Sequence, residues 1–313
     1  MADYPKNLSE FEARFTSEEA CRDYLFTLRW PDGFRCPNCR HEKAWPIGNV
    51  LFQCARCDCQ ISVIAGTIFH GTHKPLTLWF RALWWVTGQK NGASALGLKR
   101  ILGLGSYKTA WTWLHKLRRA MVTPGRERLS GLIEVDESYI GGEKPGKRGR
   151  GAAGKALVVI AAEIKDTRIG RIRLRRVSDA SAEQLENFVK GFAVEGSVIR
   201  TDGWRGYSQL NRLGYDHEIV RKDAELGDNL LPHCHRVASL LKSWLMGTHQ
   251  GGVSHEHLDH YLDEFTFRFN RRTSKHRGKL FYRLLQNAVI IEPVTFKQMT
   301  RNVRGRKPSD HKI

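Results

Sequence analysis

Apolar residues crowd every face of the stretch 76–86, where Trp79, Phe80, Leu83, Trp84 and Trp85 stand with Arg81 as the one charged residue. That density predicts a buried helix whose rings serve packing. A shorter helix is predicted over 93–102; Gly103, Leu104 and Gly105 break it, and Ser106 is a good N-cap for the next. From 107 to 121, Ala110, Trp113, Leu114, Leu117 and Met121 fall at helical spacing, leaving Lys108, Trp111, His115, Arg118 and Arg119 on other faces. Two helices around a glycine turn have helix-turn-helix form. A basic outer face suits a DNA groove, and it also suits plain solvation.

Beyond residue 130 the period changes. Residues 132–140, 156–164 and 171–177 read as three consecutive antiparallel strands. Ser181 and Gln184 have the spacing of a capping box, which predicts a helix through Phe192. A fourth strand follows at 197–202, stopped by Gly203, and a fifth at 217–221. Three strands, a helix, a strand and further helices is the ribonuclease-H-like order: an α/β (α+β) domain with one mixed sheet and helices packed against it.

Length and charge extend this picture. A chain of 313 residues can bury a sizeable core and still carry smaller modules. Lys and Arg number 51 against 32 Asp and Glu, a net +19, which favours a polyanionic partner. Double-stranded DNA leads over an anionic membrane, because the apolar run at 76–86 falls far short of the roughly 20 residues a membrane helix needs. No membrane contact is expected. The opening residues Met1-Ala2-Asp3-Tyr4-Pro5 lack the basic-then-apolar order of a secretory signal, so a reducing cytoplasm, near the nucleoid, is expected.

Five of the seven cysteines lie between Cys36 and Cys59. Cys36 with Cys39, and Cys54 with Cys57, make two CxxC knuckles at the spacing of a ribbon that holds tetrahedral zinc. A hairpin strand at 45–52 would bring the second pair back to the first. Four thiolates close the coordination shell, so Zn²⁺ here is structural and not catalytic. Cys59 is a spare that could replace Cys57; Cys21 and Cys234 read as buried thiols.

Two carboxylates stand out by position: Asp136 inside the first strand and Asp202 at the end of the fourth, both among residues expected to be buried. A strand aspartate is as often a cap or an ion-pair partner as a metal ligand. Two that converge at a sheet end could hold Mg²⁺ or Mn²⁺ for in-line displacement at a phosphodiester.

Four motifs carry a more specific likeness: EVDESYIGG at 134–142, TDGWRGY at 201–207, Leu241-Lys242 with GTHQG at 247–251, and YLDEFTFRFNRR at 261–272. Together they resemble the signatures of zinc-ribbon-bearing insertion-sequence transposases of the DDE type, over about residues 15–289. The resemblance implies a ribonuclease-H-like fold and metal-dependent DNA cleavage and strand transfer. It makes Asp136 and Asp202 the first two members of a catalytic triad, and Lys242 the basic residue on the helix that carries the third. The third acid is expected seven residues before Lys242, and His235 stands there. Sub-branches of the family carry Asn or His at that position, so the resemblance leaves three readings of His235. It is a functional ligand or phosphate contact suited to Mn²⁺, a satisfied helix-face histidine, or the mark of a decayed site. Glu225, Asp228, Asp259 and Glu264 are substitutes in reserve, although Asp263 and Glu264 suit the orientation of Arg268, Arg271 and Arg272.

The Gly-rich loop KPGKRGRG at 144–151, with Lys147, Arg148 and Arg150, offers phosphate contacts after the first catalytic strand. No GxxxxGK[ST] occurs there, so nucleotide hydrolysis is not indicated. The expected partition is a helical segment over 1–30, a zinc ribbon over 31–66, a helix-turn-helix region over 67–125, a catalytic domain over 126–290 and a basic, disordered tail over 291–313. The rival functions are a non-catalytic DNA-binding regulator and a structure-selective nuclease of the same fold. Synapsis of two element ends would call for a homo-oligomer on DNA.

Overall fold

A computed structural model describes residues 3–123, 125–141, 155–221 and 229–301. The chain divides into two compact units, one made of Met1–Thr123 with Thr273–Arg301, the other of Pro124–Arg272.

The first unit opens with α1 (Leu8–Arg14) and α2 (Glu18–Arg29), each started by a side-chain cap, Asn7 and Ser17. A three-stranded antiparallel sheet follows: β1 (Ala44–Ile47), β2 (Leu51–Cys54) and β3 (Gln60–Ser62). Then come α3 (Leu76–Gly88), α4 (Ala95–Ile101) and α5 (Tyr107–Ala120), close to the predicted spans. Helix α3 begins at Pro75, which has no side-chain oxygen to cap it. Glu18 of α2 does so instead, accepting from the amides of Leu76 and Thr77, both at 2.8 Å.

The second unit holds β4 (Leu132–Ile140), β5 (Ala156–Lys165), β6 (Arg168–Val177), α6 (Ala182–Phe192), β7 (Val198–Thr201), β8 (Asp216–Ile219), α7 (Pro232–His249) and α8 (Leu258–Phe269). Its sheet runs β6-β5-β4-β7-β8. The first three strands are antiparallel neighbours in chain order, and β7 and β8 join parallel to β4. This is the strand order and direction of a ribonuclease-H-like domain. Alternation sorts the sheet's two faces. Ile133, Val135, Val159 and Ile199 meet Leu185 and Phe188 of α6 on one. Ile140, Val158, Ile160 and Leu174 meet Val237 and Leu241 of α7 and Leu262 and Phe265 of α8 on the other. Strand β5, covered on both faces, is buried over eight consecutive residues, which accounts for its unbroken apolar run.

The chain then returns to the first unit with α9 (Arg277–Ala288) and α10 (Phe296–Arg301). The expected boundary at 290 is therefore displaced to 272. Leu280, Phe281, Leu284, Leu285 and Ala288 form a helical apolar stripe that fits any core; here Phe281 meets Phe11, Phe80 and Trp84. The tail expected to be disordered from 291 holds α10, and its residues 302–313 lie outside the described residues.

A second correction concerns α5. His115 and Arg118, expected on an outer basic face, are buried, 0% and 2% exposed. The cover comes from the far end of the chain: α9 packs on α5, Asn287 donates to the Ala120 carbonyl, and the Phe296 ring meets Trp111, which lies on His115. Lys108 is exposed, 4.1 Å from the Phe296 ring centroid, and Arg119 is half-buried. Lys147, Arg148 and Arg150 lie outside the described residues.

Candidate active site and metal centre

The zinc knuckles come first in the chain. The hairpin β1–β2 pairs Ala44 with Cys54, setting the second knuckle beside the strand that follows the first. Cys36, Cys39, Cys54 and Cys57 bring their sulfurs within 4.8 Å of one another. Two of these separations are 3.7 Å (Cys36–Cys57) and 3.5 Å (Cys39–Cys54). A tetrahedron with Zn–S bonds of about 2.3 Å has edges of about 3.8 Å, so the donor set fits zinc. Backbone amides act on the same sulfurs: that of Cys39 lowers the Cys36 thiol and that of Cys59 lowers Cys57. Cys39, although the His41 amide acts to lower it, is pushed up to about 12 by burial and then by the neighbouring thiols. Four thiolates this close need a cation. Cys59 is not one of the four, and Cys21 and Cys234 are buried thiols.

In the second unit the parallel pairing of β4 with β7 decides the geometry. Leu132 faces Val198, Ile133 faces Ile199 and Glu134 faces Arg200. Two residues past that last rung on each strand stand Asp136 and Asp202. The alternation puts both on the α7 face, each two residues past the last β4–β7 rung. They were expected to be buried. Asp136 is instead partly exposed and Asp202 exposed, because β7 stops at Thr201 and the chain turns away at once. Gly203 makes that turn at φ +77°, and a Cβ there would stand 2.6 Å from the Ile219 methyl. Asp202 accepts from the Trp204 amide at 2.9 Å, while Thr201 takes the Gly203 amide and bonds His217 at 2.8 Å.

Helix α7 supplies the third group. His235 Nε2 lies 3.3 Å from Asp136 Oδ2, and its Nδ1 is 2.6 Å from the Asn229 side-chain oxygen. Seven residues are close to two turns, so Lys242 lies on the same helix face. Asp136, His235, Ser239, Lys242 and Ser243 line one cleft of about 470 Å³. Of the reserve acids, Glu264 is buried in a pair with Arg268 at 2.7 Å and Asp259 pairs with Arg176; Glu225 and Asp228 lie outside the described residues.

Residues 128–270 match the ISXO2-like transposase domain, and residues 16–60 match the transposase zinc-ribbon domain. The chain is also 30% identical over 277 residues to the "Uncharacterized protein in transposable element ISH50" of Halobacterium salinarum, covering 81% of this chain and 91% of that one. The chain belongs to the ISXO2-like transposase family. Its zinc ribbon and mixed-sheet domain are those of a transposase, as the motifs implied.

Sequence reasoning passed over one residue of this transposase site. Glu134, 1% exposed, sits two residues before Asp136 on the same face. Its carboxylate accepts the His233 amide at 2.9 Å and the Cys234 amide at 3.1 Å, and meets His233 Nδ1 at 2.7 Å. An anion at the helix start satisfies orphan amides and complements the dipole, so Glu134 ties the first turn of α7 to the strand that carries Asp136. That turn includes His235. The glutamate in EVDE was the only signal for it. Replacing Glu134 with Ala leaves those buried donors unpaired and is expected to lower stability by about 1–3 kcal/mol in denaturant melts.

Proposed function

We propose that this protein is a metal-dependent DNA transposase that binds the terminal inverted repeats of its own element, cuts there and joins the freed end to target DNA. The observation that supports the proposal is the β4–β7 register, in which Asp136 and Asp202 each stand two residues past the last paired rung, with His235 and Lys242 lining the cleft at Asp136. Two carboxylates and an imidazole fit divalent cations, the imidazole favouring Mn²⁺ over Mg²⁺. Such ions, when bound, supply Lewis-acid activation of the attacking oxygen and charge neutralisation at the leaving one.

The chain's own residues do the rest. Asp136 and Asp202 hold the cations, and their exposure leaves room for a phosphodiester. Lys242, one charge on a flexible stem, contacts a backbone phosphate of the bound strand. In the first reaction a water oxygen bonds to phosphorus and the 3′-oxygen leaves as a hydroxyl. In the second, that 3′-hydroxyl bonds to a target phosphorus and the target strand's own 3′-oxygen departs, so one geometry serves both steps. Lys108 and Arg119, with the ribbon, contribute to end binding, and two copies of the chain hold the two ends.

The test mixes the full chain with duplexes carrying its element's termini, a plasmid target and Mn²⁺. Products longer than the input strand are expected. Nicking without joining, independent of end sequence, would mark a structure-selective nuclease. End binding with neither reaction would mark a regulator.

A further inference from the structure

Among the described residues of the second unit, a cavity larger than the cleft at His235 lies elsewhere. It is a groove of about 1090 Å³ at the end of the sheet, where the end of β4, the start of β5, the end of β6 and the turn after β7 come together. Tyr139 and Trp204 supply aromatic walls, and Leu157 and Val177 an apolar floor. Lys155 and Arg205 line it too, as does Arg176, which is paired with Asp259, and the one carboxylate among the described lining residues is Asp179. That carboxylate is occupied within its own loop, accepting from the Ser181 amide and the Ser178 hydroxyl, both at 2.9 Å.

The groove is tied to the proposed active site through the chain itself. Tyr139 stands three residues beyond Asp136 on β4, and the Trp204 amide is the donor that Asp202 accepts. The indole is fixed in turn, donating from Nε1 to the Ala180 carbonyl at 3.0 Å. Apolar floor, rigid aromatic walls and cations at the margin are what unpaired nucleotides require: the bases stack and the phosphates meet Lys or Arg. A paired duplex hides its base faces and could use the cations alone.

We infer that this groove receives unpaired nucleotides of the DNA strand leading away from the phosphodiester held at Asp136 and Asp202. The identity of that strand rests on the transposase reading; the groove's affinity for an unpaired strand does not. Binding is therefore measured without divalent metal. The full chain is titrated with a terminal-repeat duplex, blunt or bearing a short oligothymidine extension on the strand to be cut. The extension is expected to tighten binding about tenfold, the gain of roughly one stacked base. Lys155→Ala combined with Arg205→Ala, two side chains at the solvent margin, should remove most of that gain, leave blunt-end affinity unchanged, and lower the salt slope by about 0.7 per cation. A 5-iodouracil in the extension should crosslink to the peptide containing Trp204 or Tyr139.

The inference is overturned if the extension adds nothing, if the double variant keeps the full gain, or if the crosslink maps elsewhere. A mononucleotide that displaces the extension as well as oligothymidine does would also overturn it, in favour of a small-ligand pocket. A protein that shows the extension effect but never joins DNA would refute the transposase proposal and leave the groove standing.

Discussion

Asp136→Asn and Asp202→Asn are each expected to lower cleavage and joining together by more than about a hundredfold while leaving end binding and the melting temperature nearly unchanged. Loss of an outer partner of a metal ligand costs about 10–100-fold, and loss of the ligand itself must cost more. Asparagine keeps the shape and removes the charge that holds a cation. Asp136 is only partly buried and Asp202 is exposed, so the core does not depend on their charge. His235 gives a graded companion. Ala should reduce Mn²⁺-supported joining, and Glu, which supplies a third oxygen donor, should move the metal preference from Mn²⁺ toward Mg²⁺. Strand transfer by either asparagine variant at the wild-type rate would refute the metal assignment. Equal activity of His235→Ala and wild type would make His235 a bystander 3.3 Å from Asp136.

How far the chain could be read beforehand depended on whether the partners of a residue were local. Strand β4 was legible to the residue, because alternation and the glycines after Ile140 bound it on their own. The five strands and their antiparallel start followed from period and order, and the CxxC spacing carried the zinc site unaided. Position singled out Asp136 and Asp202 but left their convergence as one of two readings, and the resemblance favoured it, since no pattern within either strand says which rung meets which. Glu134 stayed hidden because its partners lie 99 and 100 residues away on α7. His115 and Arg118 were misplaced for the same reason. Helical spacing correctly marked them as off the main apolar stripe of α5, but α9 and Phe296, more than 160 positions later, cover that second face as well. Charge alone does not say which face of a helix meets water.

Cys36→Ser, or an excess of chelator, is expected to unfold the ribbon while leaving the second unit's melt in place. The three ribbon strands have four, four and three residues, too few to hold together without help. Rings from α2 and the loop after it, Phe26, Trp30 and Phe34, pack on Phe52. Zinc supplies the remainder: structural sites of this kind bind with about 10–16 kcal/mol in isolated fingers, and that energy is folding energy. The wild-type chain should carry one zinc. Limited proteolysis after chelation should cut within the ribbon first, while β4 and β5 keep their amide protection. Because the ligands are thiolates, zinc should also leave as pH falls, each sulfur taking up a proton. Cys59→Ser is the control: its sulfur lies outside the tetrahedral set, so zinc content and end binding should match wild type. Zinc retained by Cys36→Ser, with its proteolytic pattern unchanged, would mean that Cys59 enters the shell and that the four sulfurs gathered here are not the whole of the site.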